Sequence, residues 1–123
     1  MCHVLIIEDE PFVALMLQDL LEAVGASSTA VAATEADAIC LAIARRPAII
    51  TSDVKLIEGN GPHAVEAIRA HLGQVPVIFI TATPQNCTPC HPADIILNKP
   101  VNRPALTTAF HELTSSSAAD VDR

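Results

Sequence analysis

Short, uninterrupted apolar runs constrain the fold of this 123-residue chain more than any other feature. Four of them recur along it, at 4–7 (VLII), 49–50 (II), 77–80 (VIFI) and 95–97 (IIL). Each is far shorter than the ~20 residues that span a bilayer. Each is also more continuous than a strand with one solvent-exposed face would be, and such runs are typical of strands buried on both faces of a parallel sheet. We therefore expect a sheet covered by helices on both sides.

Stretches with helical spacing lie between these runs. Apolar residues recur every three or four positions in three stripes: Phe12, Leu15, Met16, Leu20 and Val24; Ala36, Ile39, Cys40 and Ile43; Val65, Ile68 and Leu72. Pro11 suits a first helical position and Gly25 suits a C-terminal cap. Thr34, three residues before Asp37, resembles a capping box. These signals predict three helices.

The order of the elements indicates the fold class. A weaker strand at 28–32 and a last helix at about 103–113 complete a chain in which strands and helices alternate. Such alternation builds an open α/β sheet. It is interrupted at 81–94, which carries three prolines: Pro84, Pro89 and Pro92. Because proline disfavours a helix interior, a regular helix is not expected there, and the loop is expected to be irregular and mobile.

Composition excludes several classes of function. Asp and Glu number 14 against 7 Lys and Arg, a formal charge of −7, and no basic cluster exceeds Arg45-Arg46, so nucleic acid binding is not expected. No run is long enough for a membrane span, and the acidic start lacks the basic region of a signal peptide, so we predict a cytoplasmic protein. In a reducing compartment the four cysteines are expected to be free thiols.

Reactive side chains follow the strands at the ends where parallel sheets bind ligands. Carboxylates follow the first and third strands, a hydroxyl the fourth and an ammonium the fifth: Glu8, Asp9, Glu10, Asp53, Thr81 and Lys99. Carboxylates brought together repel one another unless a hard cation neutralises them, and oxygen ligands of this kind suit Mg²⁺. The hydroxyl and the ammonium beside that cation would form a pocket for a phosphoryl group.

Four segments resemble the receiver domains of two-component response regulators: 6–11 (IIEDEP), 51–54 (TSDV), 80–82 (ITA) and 98–100 (NKP). They occur in the family's order, and the resemblance covers essentially the whole chain. It implies a flavodoxin-like, doubly wound sheet of five parallel strands in the order 2-1-3-4-5, with the fourth helix here short, irregular or missing. A receiver domain is expected at 1–115 and a flexible tail at 116–123.

The resemblance also implies roles for single residues. Asp53 would accept the phosphoryl group as an acyl phosphate, and Thr81 and Lys99 would contact its oxygens. A cis peptide bond is expected between Lys99 and Pro100. Mg²⁺ would be held by three carboxylates and one backbone carbonyl: Glu8, Asp9, Asp53 and the carbonyl of Lys55. The phosphoryl group would come from a sensor histidine kinase or a phosphotransfer protein, and the chain would be a regulatory protein rather than an enzyme.

Several functional alternatives stay open at this point. Because the chain ends just after the last helix, we expect a stand-alone receiver that acts as a relay intermediate, a phosphate sink or a phosphorylation-switched binding module, either monomeric or as a weak homodimer. Ile96 stands where receivers usually carry Tyr or Phe, so the signal must be transmitted without that ring. The alternatives are a pseudo-receiver that binds without phosphorylation and a thiol or metal sensor that uses Cys87 and Cys90.

Overall fold

The computed structural model confirms the expected sheet, and it describes residues 2–87 and 94–121. Five strands form one parallel sheet in the order 2-1-3-4-5. Their bounds are β1 (His3–Ile7), β2 (Ser28–Ala32), β3 (Ile49–Ser52), β4 (Val77–Thr81) and β5 (Ile95–Asn98). β1 and β3 lie at the centre, where their carboxyl ends are neighbours.

Four helices cover the two faces of this sheet: α1 (Pro11–Val24), α2 (Glu35–Ala44), α3 (Gly61–Leu72) and α4 (Arg103–Val121). Alternate residues of β1 belong to opposite core clusters. Val4 and Ile6 are clustered with residues of α1 and α4, whereas Leu5 and Ile7 are clustered with residues of α2 and α3. The strand is therefore buried on both faces, which is why its sequence is apolar without interruption.

The predicted helix ends are confirmed where the sequence carried a cap signal. Pro11 is the first residue of α1, and Gly25 ends that helix with a φ of 128°, a conformation that favours glycine. Thr34 Oγ1 accepts a hydrogen bond of 3.1 Å from the Asp37 amide at the start of α2. Pro11 has no amide hydrogen to leave unpaired at the start of α1. The Gly25 amide donates to carbonyls of the last turn of α1, and Thr34 accepts from an amide of the first turn of α2.

The last helix is longer than predicted. It continues to Val121, well past the expected end near residue 113, because residues 105–121 contain neither glycine nor proline to stop it. The flexible tail at 116–123 stays a prediction, and residues 122–123 lie outside the described part of the chain.

The buried face of α1 differs from the predicted stripe. Phe12 is 88% exposed and Leu15 is 56% exposed, whereas the buried residues are Ala14, Leu17 and Leu21. The helix is apolar around most of its circumference, so more than one stripe fits the helical period. The face of α1 that is buried is determined by packing against the sheet, and the sequence pattern holds no information about that packing.

The same error occurs in α2 but not in α3. Two alanines of α2, Ala38 and Ala42, are buried in place of the larger Cys40 and Ile43, which are exposed. In α3 the expected apolar residues Val65 and Ile68 are buried. Small side chains let α2 lie close to the sheet. A prediction that looks for large apolar residues overlooks these buried alanines.

The connection from β4 to β5 contains no α-helix among its described residues, as expected from its prolines. Pro84–Asn86 form a single 3-10 turn. Arg69 of α3 pairs with both carboxylate oxygens of Asp94 at 2.7 and 3.2 Å, just before β5 begins. The peptide bond between Lys99 and Pro100 is cis, as predicted. Residues 88–93, with the other two prolines, lie outside the described residues.

The cysteines only partly agree with the expectation of free thiols. Cys2 and Cys40 are free, but Cys87 is disulfide-bonded, so the prediction is wrong for that residue. It rested on the expected reducing compartment, which says nothing of whether two sulfur atoms lie close enough to bond. Cys90 lies outside the described residues. No helix in the described part of the chain is both long and apolar enough to cross a bilayer.

Truncating a leucine on each side of α1 tests which face the helix buries. We expect Leu17→Ala to lower the free energy of unfolding by about 2–5 kcal/mol, because its side chain is 2% exposed and leaves a cavity. The same change at the exposed Leu15 should alter stability by no more than about 0.5 kcal/mol. Denaturant unfolding followed by circular dichroism measures both, and equal losses would contradict the observed face.

Candidate functional site

The carboxyl edge of the sheet brings the predicted residues together. Glu8 follows β1, Asp53 follows β3 and Lys99 follows β5. The Asp53 amide donates to the Ile7 carbonyl at 2.9 Å, so the ladder between the two central strands continues up to this aspartate. In the same way the Lys99 amide donates to the Thr81 carbonyl at 2.9 Å. Strand pairing therefore places each side chain at the edge before any side-chain contact forms.

A single ammonium group bridges two acids of this edge, the buried Glu8 and the partly buried Asp53. Lys99 Nζ lies 3.1 Å from Glu8 Oε1 and 3.0 Å from Asp53 Oδ2. The Glu8 residue is only 2% exposed, so its carboxylate has little contact with water. Because buried charges need a partner, Lys99 is what permits two carboxylates to lie side by side here.

Burial and charge act in opposite directions on this ion cluster. Burial raises the pKa of Glu8, and the hydrogen bond from the Glu10 amide and the contact with Lys99 offset only part of that effect. Burial lowers the pKa of Lys99, but the hydrogen bonds and charges of Asp53 and Glu8 outweigh it and leave that pKa raised. Lys99 is therefore firmly cationic, and Glu8 is a carboxylate that further positive charge would stabilise.

Three carboxylates at this edge can approach one cation. Oxygens of Glu8, Asp9 and Asp53 lie within 4.8 Å of one another, and no other cluster of potential metal ligands occurs among residues 2–87 and 94–121. Asp9 Oδ2 accepts a hydrogen bond of 2.7 Å from the Ile57 amide, and Asp53 Oδ1 accepts one of 2.8 Å from the Val54 amide. A set of hard oxygen donors that already accept amide hydrogen bonds fits a small divalent cation.

The residues predicted around these acids occupy two neighbouring loops. Lys55 lies in the β3–α3 loop (residues 53–60), where its backbone pairs with that of Asn60 in an isolated antiparallel bridge. Thr81 ends β4, and its buried Oγ1 accepts a hydrogen bond of 3.0 Å from the Thr83 amide. In this conformation the hydroxyl oxygen of Thr81 is therefore engaged by the loop that follows it.

Three contacts of the edge were not predicted from the sequence. They are the Ile57 amide on Asp9, the Glu35 carboxylate on the Asn60 amide and the packing of Gly61 against the Asp53 carbonyl. A Cβ built on Gly61 would lie 1.8 Å from that carbonyl oxygen, which explains why glycine stands there. The Gly59-Asn60-Gly61 segment was the available signal, and it suggests only a turn.

Comparison with known proteins identifies this arrangement. The family model for the response regulator receiver domain matches residues 4–111. The phyllosphere-induced regulator PhyR of Methylorubrum extorquens is 42% identical over 85 residues, which cover 68% of this chain and 32% of the relative. The chain thus matches about a third of the length of that relative.

Two solved structures from other bacteria are similar to the whole fold. The receiver domain of PhyR from Erythrobacter litoralis is 33% identical, with a TM-score of 0.80 over 92% of this chain and 89% of that one. Anti-anti-sigma factor PhyR from Bartonella quintana is 28% identical, with a TM-score of 0.82 over 99% of this chain and 51% of that one. The matching proteins are regulatory ones rather than enzymes in the usual sense.

Neutralising Glu8 should stabilise the metal-free protein increasingly as the pH rises. Because its pKa is raised in the folded state, the folded protein holds this proton more tightly than the unfolded chain does. The ionisation of Glu8 therefore costs stability from the ordinary glutamate pKa of about 4.3 upward. We expect the free energy of unfolding of Glu8→Gln, minus that of the parent, to increase over this range.

Urea unfolding in metal-free buffer at a series of pH values measures that difference. Glu10→Gln is the matched control, since it removes an exposed carboxylate two residues away. A difference between Glu8→Gln and the parent that stays constant with pH would show that burial of Glu8 carries no cost.

Proposed function

This chain belongs to the response regulator receiver domain family, and we propose that Asp53 accepts a phosphoryl group that switches the binding of a partner protein. The observation that carries the proposal is the contact of Lys99 Nζ with both Asp53 and Glu8 at the carboxyl edge of the sheet. A carboxylate held beside a fixed ammonium and two further acids suits transfer of a phosphoryl group, whose developing charge needs cations on several sides.

The proposed reaction is a simple displacement at phosphorus. A carboxylate oxygen of Asp53 attacks, the bond from phosphorus to the donor's leaving group breaks, and an acyl phosphate forms. The donor is a phosphorylated histidine of a sensor kinase or a phosphotransfer protein, and its imidazole nitrogen leaves with the electron pair. Lys99, already 3.0 Å from Asp53, pairs with the phosphoryl oxygens once the acceptor carboxylate has become an acyl group.

Magnesium completes the proposed site. Glu8, Asp9 and Asp53 would hold it with the backbone carbonyl of Lys55, and the cluster of the three carboxylates supports this assignment. When bound, Mg²⁺ supplies neutralising charge for the phosphoryl oxygens. Such a cation would offset the burial that raises the pKa of Glu8, which is 2% exposed.

Thr81 is proposed to report the modification. Its hydroxyl would leave the Thr83 amide and donate a hydrogen bond to a phosphoryl oxygen on Asp53. Breaking the bond to Thr83 would change the start of the β4–β5 connection, whose described part contains a 3-10 turn. Ile96, 40% exposed on the edge strand, leaves no aromatic ring at that position to carry the signal. Transmission through the loop from residue 82 onward is therefore our proposal, and its part at 88–93 lies outside the described residues.

The comparisons favour regulated partner binding among the three possible outputs. The relative from Bartonella quintana is named an anti-anti-sigma factor, which describes a regulator that acts through another protein. A relay or a phosphate sink needs no such output. A pseudo-receiver that ignores phosphorylation would have no need to keep Asp53, Thr81 and Lys99 together. The stand-alone organisation, the weak homodimer and the cytoplasmic location stay predictions.

Incubation with a small phosphodonor and Mg²⁺ tests the proposal directly. The intact mass should increase by one phosphoryl group, and the increase should be absent in Asp53→Ala and after chelation of the metal. Asp19→Ala, which removes an exposed carboxylate from α1, should be modified like the parent. If neither small donors nor a cognate kinase modifies the parent protein, the chain is a pseudo-receiver.

The contact between Thr81 and Thr83 gives a second test. A phosphoryl mimic on Asp53, such as a beryllium fluoride complex, should release the Thr83 amide from Thr81 Oγ1 and speed its hydrogen exchange. In Thr81→Ala the Thr83 amide should exchange fast with and without the mimic. If the mimic binds and the parent's Thr83 amide exchanges at the same rate as before, Thr81 does not report the modification.

A further inference from the structure

We propose that Glu35, the first residue of α2, is a positioning residue that holds the β3–α3 loop in the shape required for Mg²⁺ binding at the acidic edge. The proposal rests on the proposed function, because it concerns the same metal. It assigns a role to a side chain that follows a different strand and contacts none of the proposed ligands directly.

Glu35 contacts three successive residues of the loop. Its Oε1 accepts a hydrogen bond of 3.3 Å from the Asn60 amide, and its own amide donates one of 3.2 Å to the Glu58 carbonyl. Gly59 between them lies so close that a Cβ there would be 2.6 Å from the Glu35 Cβ, and its φ of +92° also favours glycine. The first turn of α2 and the tip of the loop therefore form one tightly packed unit.

The contact reaches the proposed metal ligand through one intermediate residue. Asn60, whose amide is bonded to Glu35, is the bridge partner of Lys55 across the loop. Lys55 supplies the backbone carbonyl that we propose as a ligand. A displacement of Asn60 would therefore displace the loop segment that carries this carbonyl, although Glu35 itself lies outside the ligand set.

The opposite side of the loop is bonded to a metal ligand. Asp9 Oδ2 accepts the Ile57 amide at 2.7 Å, so a carboxylate that moves toward a cation pulls on the middle of the loop. Glu35 holds the loop at Glu58 and Asn60, so the loop does not move together with Asp9. Without Glu35, part of the binding energy of the cation would be spent on ordering the loop.

If Glu35 served only to stabilise α2, it would need no contact with the β3–α3 loop. Acidic residues in the first turn stabilise a helix through its dipole, and Asp37 shares that turn and that charge with Glu35. Asp37 is exposed, and none of its hydrogen bonds in the described part of the chain reaches the β3–α3 loop. Asp37→Ala is therefore the matched control for a change at Glu35.

Calorimetric titration of each variant with MgCl₂ measures the effect. Calorimetry is chosen because the chain has no Trp or Tyr to report binding by fluorescence. We expect the Kd for Mg²⁺ to increase about five- to tenfold in Glu35→Ala, since one charge-assisted hydrogen bond is lost. Asp37→Ala should bind like the parent. Glu35→Gln should stay within about twofold of the parent, because its amide oxygen can still accept from Asn60.

Glu35→Asp covers the case in which Glu35→Ala does not fold. It keeps the charge and the helical position but is one methylene too short to reach the Asn60 amide, so it should weaken Mg²⁺ binding as well. Equal Mg²⁺ affinities of Glu35→Asp and the parent, or an equal weakening in Asp37→Ala, would overturn the proposal. A parent protein that binds no Mg²⁺ would instead overturn the proposed function itself, and this inference with it.

Discussion

The salt bridge of Lys99 with Glu8 and Asp53 is the interaction on which the functional edge depends. Glu8 is almost fully buried, and a buried carboxylate beside a second one is unfavourable without a counter-ion. Lys99 can supply that charge because the strand order places β5 on the same side of β3 as β4, with only β4 between them. The fold thus stabilises a pocket of buried carboxylates by placing beside them an ammonium group from near the end of the chain.

The sheet and the composition of its carboxyl edge could be predicted because both follow from simple constraints. A run such as residues 77–80 has no polar side to expose, so it must lie between two helical layers. Once the strands are parallel, whatever follows each of them meets at one edge. Asp53 and Lys99 lie 46 residues apart yet form a salt bridge for this reason alone.

Helix orientation and loop contacts could not be predicted in the same way. In α1 both Leu15 and Leu17 are leucines, and only the packing of the finished protein decides that the second is buried. The bonds on Asp9 and Glu35 have backbone amides as donors, and nearly every residue offers one. The sequence pattern can therefore identify a carboxylate that accepts a hydrogen bond, but not the loop whose amide donates it. The disulfide at Cys87 likewise depends on the distance between two sulfur atoms, which the sequence does not give.

The contact between Gly61 and the Asp53 carbonyl restricts movement on one side of the site. A Cβ at Gly61 would overlap the Asp53 carbonyl oxygen, so the start of α3 packs directly against the backbone of Asp53. If Asp53 is phosphorylated as we propose, its main chain has no room to move toward α3. We therefore expect the adjustment at the side chains that follow β4 and β5, Thr81 and Lys99. In the switch that we propose, the structural change would therefore run from Asp53 toward β5 rather than toward β2.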